Sequence, residues 1–177
     1  MPPTCPTQTL TMRAATVDDI PLLRGLAERI WNVAYVDIIS QEQIEYMLGL
    51  MYGAPQIALE INGGVAWELA IADEQPVGFF SISFKETPRA KLQRLYLLPE
   101  RQGAGLGQAM LARAHALAAS RGATEIYLQV NKQNARAIRA YERAGYVVER
   151  SAVFDIGRGY VMDDFIMQRP LVPTAAA

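Results

Sequence analysis

The stretch "YLLPERQGAGLGQAML", residues 96–111, carries an apolar run into three glycines spaced two apart and then directly into helical periodicity. Gly103, Gly105 and Gly107 lack the side chains that would hold a ligand off the backbone. A helix starting at the same place adds unpaired N–H groups and the positive end of its dipole. Such a strand-turn-helix suits a phosphate, although on its own it is also an ordinary tight connection.

Spacing separates the phosphate motifs that could use it. A nucleotide P-loop closes on Gly-Lys-Ser/Thr, whereas Gly107 is followed by Gln108 and Ala109. A dinucleotide fingerprint needs a small residue three places after its second glycine, and here that place holds Met110 or Gln108. Glu125 lies twenty residues after Gly105, but at the start of its strand rather than at the end, where a ribose-binding acid belongs.

The surrounding pattern predicts an α/β chain. "TLTMRAAT" reads as a strand, and Thr16 then caps a helix with Leu22, Leu26, Ile30 and Val33 at helical spacing. Ser40 and Gln43 form a capping box for a second helix with Ile44, Met47, Leu48 and Met51 as its stripe, and "APQIALEING" reads as a short third helix behind Pro55. After Gly63-Gly64, "VAWELAIA", "PVGFFSISFK" and "KLQRLYLL" read as an antiparallel meander. Residues 104–120 are a helix with Leu106, Met110, Ala114 and Leu117 on one face, and "TEIYLQV" is a strand. Asn134 opens a helix that stops at Gly145, and a hairpin through Gly157-Arg158-Gly159 closes the chain. The expectation is a mixed, mostly antiparallel central sheet of about six to seven strands with helices on both faces. With 177 residues, one domain over 10–169 is expected, between tails at 1–9 and 170–177.

Charge and composition narrow the partners. Seventeen basic and eighteen acidic residues leave a net charge of -1, without the basic field that nucleic acid or an anionic membrane surface requires. No long apolar run or signal-like leader is present, so a cytoplasmic location is expected. Cys5 is the only cysteine and His115 the only histidine, which leaves no thiolate or histidine cluster for a metal. Cys5 reads as a bystander in the tail, and His115, in mid-helix, as a structural or surface residue.

Gln102-x-x-Gly105-x-Gly107, directly after a strand, resembles the pyrophosphate-binding signature of the GNAT N-acetyltransferases. Thirty residues on, "NKQNARAIRAYERAGY" resembles that family's Asn-x-x-Ala-x-x-x-Tyr segment through Asn134, Ala137, Tyr141, Gly145 and Tyr146. The resemblance covers residues 12–168, and "IWNVAYVDIISQEQIEYML" with "GYVMDDF" resembles a branch that includes polyamine acetyltransferases.

The resemblance implies acetyl-CoA as donor, no metal and a direct transfer to an amine. The pyrophosphate would lie on the amides of Gln102, Gly103, Ala104, Gly105, Leu106 and Gly107. The pantetheine arm would run along the strand edge at Leu95, Tyr96 and Leu97, with the thioester carbonyl facing an N–H near Leu97. Asn134 and Ala137 would contact the CoA arm, and Tyr141 would protonate the departing sulfur. Tyr141 is otherwise a packed helix tyrosine. Glu68, Asp155, Asp163, Asp164 and Tyr127 are the open choices for deprotonating the acceptor, and an edge-strand acid is as readily an ion-paired one. Trp31, Tyr35, Asp37, Glu42, Glu45 and Tyr46 mix aromatic and acidic groups, which suits a small cationic amine, while the same aromatics would also serve as core. Glu68 with Trp31 and Tyr35 are the acceptor-binding candidates. A homodimer is a habit of the family. A peptide acceptor, or a CoA-binding module without turnover, are the alternatives.

Overall fold

The computed structural model describes residues 9–172. Cys5 and most of the expected N-terminal tail lie outside that range. Strand β1 (Leu10–Ala14) leads through a 3-10 turn at Val17–Asp19 into α1 (Ile20–Ala34), followed by α2 (Gln41–Tyr52) and α3 (Ala54–Asn62). The meander is β2 (Ala66–Ala72), β3 (Gln75–Glu86) and β4 (Arg89–Leu97), and α4 (Leu106–Ser120), β5 (Glu125–Asn131) and α5 (Ala135–Arg143) come next. The hairpin of β6 (Val147–Gly157) and β7 (Tyr160–Pro170) closes the chain.

The seven strands form one sheet in the order β1-β2-β3-β4-β5-β7-β6. Every pairing is antiparallel except β4 with β5. Helices α1, α2 and α3 cover one face, packing Leu23, Ile30, Ile44 and Ile57 against Trp67, Leu69 and Phe79. Helix α4 covers the other, with Leu111, Ala114 and Ala118 against Phe80, Leu92, Ile126 and Leu128. This is the mixed sheet with helices on both faces that the residue pattern predicts.

Several local expectations shift. The buried stripe of α1 is Leu23, Leu26, Ala27, Ile30 and Trp31, and Val33 is 58% exposed. Leu26 and Ile30 lie on the buried face as expected and Leu22 packs at its border, while Trp31, with the larger apolar area, is buried in place of Val33. Ser40 accepts the Gln43 amide at 3.1 Å, but the Gln43 side chain reaches the Val161 carbonyl instead of completing the box. The C-terminal tail begins later than Pro170, since Pro170 pairs with Glu125, and Leu171 is buried with its amide bonded to Thr124.

Two features shape the middle of the sheet. Strands β4 and β5 pair only at Arg89–Lys91 with Glu125–Tyr127, although both continue for several more residues. Just past this point Ser81 pairs with Arg94 and Ile82 with Leu92, so Gln93 is an extra residue, a bulge that bends β4. Behind the bulge Arg94 forms a buried two-pronged pair with Glu60 (2.8 and 3.0 Å), bonds Ser81 and the Met51 carbonyl, and lies 4.7 Å over the Trp67 ring. That set of contacts holds the bent strand to α3 and the end of α2.

Gly78, opposite Leu97, keeps β3 close to the far end of β4: a Cβ there would stand 2.4 Å from the Tyr96 carbonyl oxygen and 3.2 Å from Leu97 Cα. Both are backbone atoms and cannot swing away. Gly78→Ala is therefore expected to lower stability by roughly 1–3 kcal/mol, read as a reduced urea midpoint with unchanged m-value.

Candidate active site

Where β4 and β5 part, the β5-facing edge of β4 is left without a strand partner from Leu92 to Leu97. The Leu98 amide bonds the Val77 carbonyl and the Tyr96 carbonyl faces Gly78, both on the β3 side. Strand alternation then turns the backbone groups of Leu95 and Leu97 into the gap. The gap is thus a ready pairing edge for an extended ligand.

At the end of that edge lies the glycine turn. Gly103 and Gly105 adopt φ of 88° and 81°, the left-handed region that a side chain would strain. Gly107 has no such need: it sits in the first turn of α4, and a Cβ there would meet nothing of the protein within 4 Å. Ala109 is the first amide bonded back, to the Gly105 carbonyl at 3.1 Å, and those of Gly105, Leu106, Gly107 and Gln108 have no protein acceptor among the described residues. Gln102 departs from expectation. Its amide is taken by the Pro99 carbonyl, and its side chain donates to the Leu97 carbonyl at 3.0 Å, so it fastens the turn to β4 rather than offering a free donor.

Helix α5 flanks the gap. Asn134 is its N-cap and accepts the Ala137 amide at 3.2 Å, with Ala137 packed on the α4-side core. The Gln108 side chain donates to the Ala140 carbonyl at 2.9 Å and ties the glycine turn to the middle of α5. One residue on, Tyr141 packs edge-on against Tyr146 with centroids 5.7 Å apart. Its hydroxyl makes no hydrogen bond among the described residues, and burial, then the nearby Tyr35, raise its pKa above the ordinary phenol value. It is a neutral phenol with a proton to give.

Tyr35 and Tyr96 share a hydrogen bond of 3.2 Å between their hydroxyls at the base of the gap. Burial raises the pKa of both. Asp164 and Asn134 act on the Tyr35 phenol in opposite senses, and Tyr141 acts on Tyr96. Trp31, an expected acceptor contact, is core beneath them: it is 1% exposed, lies 4.4 Å from the Tyr35 ring and donates to Tyr52.

The expected acids separate clearly. Glu68 faces α4, where Arg113 grips it at 2.6 and 2.9 Å, so it belongs to the opposite side of the sheet and contacts no acceptor in the gap. Asp155 accepts the Gly157 amide in the closing turn, Tyr127 donates to Glu86, and Asp163 pairs with Lys132 at 2.5 Å. Asp164 alone of the four carboxylates is buried without a pairing cation among the described residues. The acidic and aromatic run on α2 also divides. Glu42, Glu45 and Tyr46 line a groove of about 410 Å³ with Tyr160 and Arg158, whose guanidinium lies 4.8 Å from the Tyr46 ring.

His115 takes the structural one of the two places expected of it, with partners far along the chain. Arg169 donates to its Nδ1 at 3.1 Å and to the Ala144 carbonyl, so Nε2 carries the proton toward the Tyr146 hydroxyl at 2.9 Å. This chain buttresses Tyr146, on which Tyr141 rests. Burial, then Arg169, lowers the His115 pKa to about 4 from 6.5. Between those values the unfolded chain binds more protons than the folded one, so stability is lost as pH falls from 6.5 to about 4. His115→Gln is expected to flatten that part of the stability-pH curve, and thermal melts of both proteins between pH 7 and 4.5 measure the difference.

Among the described residues no group of three His, Cys, Asp or Glu is placed to hold a metal, and no helix is long and apolar enough to cross a membrane. Comparison with known proteins agrees with the geometry. The model of the Acetyltransferase (GNAT) family matches residues 27–146. A spermidine N(1)-acetyltransferase of Thermoplasma acidophilum is 28% identical over 145 residues, 79% of this chain and 89% of that protein. The peptidyl-lysine N-acetyltransferase YjaB of Escherichia coli is 33% identical over 95 residues, 53% of this chain and 58% of that one. The crystal structure of the PaiA N-acetyltransferase of T. acidophilum in complex with coenzyme A superposes with a TM-score of 0.79 at 26% identity, covering 92% of this chain and 99% of that one.

Proposed function

The chain belongs to the GNAT acetyltransferase family and uses acetyl-CoA as donor, and from that premise we propose that it acetylates the amine of a small cationic acceptor by direct transfer in a ternary complex. The observation that carries this reading is the parting of β4 and β5 beside the glycine turn, with the free Tyr141 hydroxyl at its flank. The residues present fit the donor. The unbonded amides of residues 105–108 suit the pyrophosphate, the backbone of Leu95 and the N–H of Leu97 suit the pantetheine amides, and the open space at Gly107 leaves room for close approach.

In this reading Tyr141 gives its phenolic proton to the departing sulfur, for which burial keeps it protonated at neutral pH. A backbone N–H at Leu97 lies on the edge where the acetyl oxygen needs a donor. Asn134 supports the pantetheine arm from the cap of α5. The small-amine acceptor is supported by the relative named a spermidine acetyltransferase and by the part-buried Tyr35–Tyr96 pair, whose rings suit an alkyl amine. A peptidyl lysine is the second acceptor to test, because the YjaB relative carries that name.

Thiol release from acetyl-CoA across spermidine, 1,4-diaminobutane, L-lysine amide and a lysine-containing peptide tests the reading. Turnover on the first three supports it, and turnover on the peptide alone rejects the small acceptor. Tyr141→Phe should lower kcat by about 10²-fold or more with acetyl-CoA affinity nearly unchanged, and an unaltered kcat removes Tyr141 from the acid role. Gly107→Ala should raise stability by about 0.5–1 kcal/mol, since the helix accepts alanine freely. It should nonetheless weaken acetyl-CoA binding by about tenfold or more in calorimetry, the equivalent of one lost hydrogen bond to a charged group.

A further inference from the structure

Asp164 stands on β7 opposite Asn131 of β5 and Ala152 of β6, on the sheet face that α1 and α2 cover. It is 5% exposed, and its Oδ1 has no hydrogen-bond partner among the described residues. Leaving a buried acceptor unmatched costs about 1–3 kcal/mol, and more when it is charged. Other buried side-chain atoms without partners are Trp67 Nε1 and Arg94 Nε, which belong to one stacked pair under the meander. Asp164 has no such neighbour to account for it.

The charges around it have other partners or keep their distance. Lys132, in the turn after β5, closes on the adjacent Asp163. Lys91 of β4 acts on Asp164 from the last residue at which β4 and β5 pair, but no ion pair joins the two. Tyr35, at the end of α1, is the titratable group facing it from the helical layer, and Tyr35 in turn bonds Tyr96. Tyr141 packs with the core on the α4 face, whereas the hydrogen-bonded Tyr35–Tyr96 pair packs with the core on the α1 face, the face on which Asp164 stands opposite Asn131, past the point where β4 and β5 part. A phenol and a carboxyl group therefore stand on opposite faces of the sheet beside the gap between β4 and β5.

The geometry points to Asp164 as the group that receives the acceptor ammonium and takes its proton, an assignment that rests on reading the gap as an amine-acetylating site. One N–H proton passes to the carboxylate and on to solvent. The freed lone pair forms the N–C bond as the C–S bond breaks. The sulfur takes the Tyr141 proton, and the second proton lost by the nitrogen returns to the phenolate. The acceptor ends as a neutral amide and the donor as free thiol. Burial, then Asp163, raises the Asp164 pKa to about 6, against the opposing effect of Lys132 and Lys91, which suits a proton acceptor working near neutrality.

The test uses the full chain and whichever member of the amine panel the wild type turns over. In the wild type, kcat/KM for the amine should rise through about pH 6 and then level. Asp164→Asn should lower it by about 100-fold or more and lose that limb, with acetyl-CoA affinity within about twofold, while Asp164→Glu keeps the limb and regains part of the rate. A residue that merely shaped the pocket would leave the pH limb in the Asn variant. A loss under fivefold, or a retained limb, overturns the inference. Should Asp164→Asn fail to fold, as melts and CoA binding will show, the wild-type profile decides, and a flat profile between pH 5 and 7.5 overturns it. If the wild type releases no thiol with any amine, the amine reading itself falls and this assignment with it. Normal turnover with an unaffected variant removes this assignment alone.

Discussion

The structure turns on one interrupted pairing. Strands β4 and β5 are the only parallel neighbours in the sheet, and they stay together for three residues before the bulge at Gln93 carries β4 away. A bulge costs ladder hydrogen bonds, so it persists only where other contacts hold the bent strand. Here Arg94, the next residue, supplies them through Glu60, Ser81, Met51 and the Trp67 ring. Gly78 holds the far end of β4 against β3 at a distance no other residue allows. The split strand pair, the exposed amides beyond it and the cleft between its arms follow from these few contacts.

The cleft works because its two ends differ in chemistry. At the turn, glycine backbone and a helix N-terminus offer N–H donors to an anion, and side chains have little part in it. At the base, four elements bring three tyrosines and one carboxylate into a setting that disfavours charge. Burial there raises the pKa of the phenols and of Asp164 alike. The phenols therefore stay neutral near pH 7, and the carboxyl titrates closer to neutrality than an exposed one. The Arg169–His115–Tyr146 chain behind α5 stiffens this arrangement from outside the cleft.

Much of the architecture was legible in residue order. The meander, the strand-turn-helix at residues 96–111 and the helix from Asn134 to Gly145 all have local causes: β-branched and aromatic alternation, glycine at positive φ, a side-chain cap. At Gly107 the fold itself does not require glycine, since a Cβ there would meet nothing of the protein within 4 Å. The α1 stripe was read correctly at Leu26 and Ile30 but misplaced at Val33, because periodicity shows that a helix has an apolar face but not how far around it the sheet contact extends.

Sequence by itself determined the elements, their order and the pair of motifs around the cleft, since each depends on residues within a turn or two of one another. Tertiary structure alone decided which acids count. Glu68 and Asp164 look alike along the chain, yet one lands beside Arg113 on the α4 face and the other opposite Asn131 on the α1 face. Asp163 and Asp164 are neighbours, and the strand's alternation gives the first to Lys132 and solvent and the second to the buried cleft. A carboxylate's partners, and so its chemistry, are set by contacts between residues tens of positions apart, which no local pattern encodes.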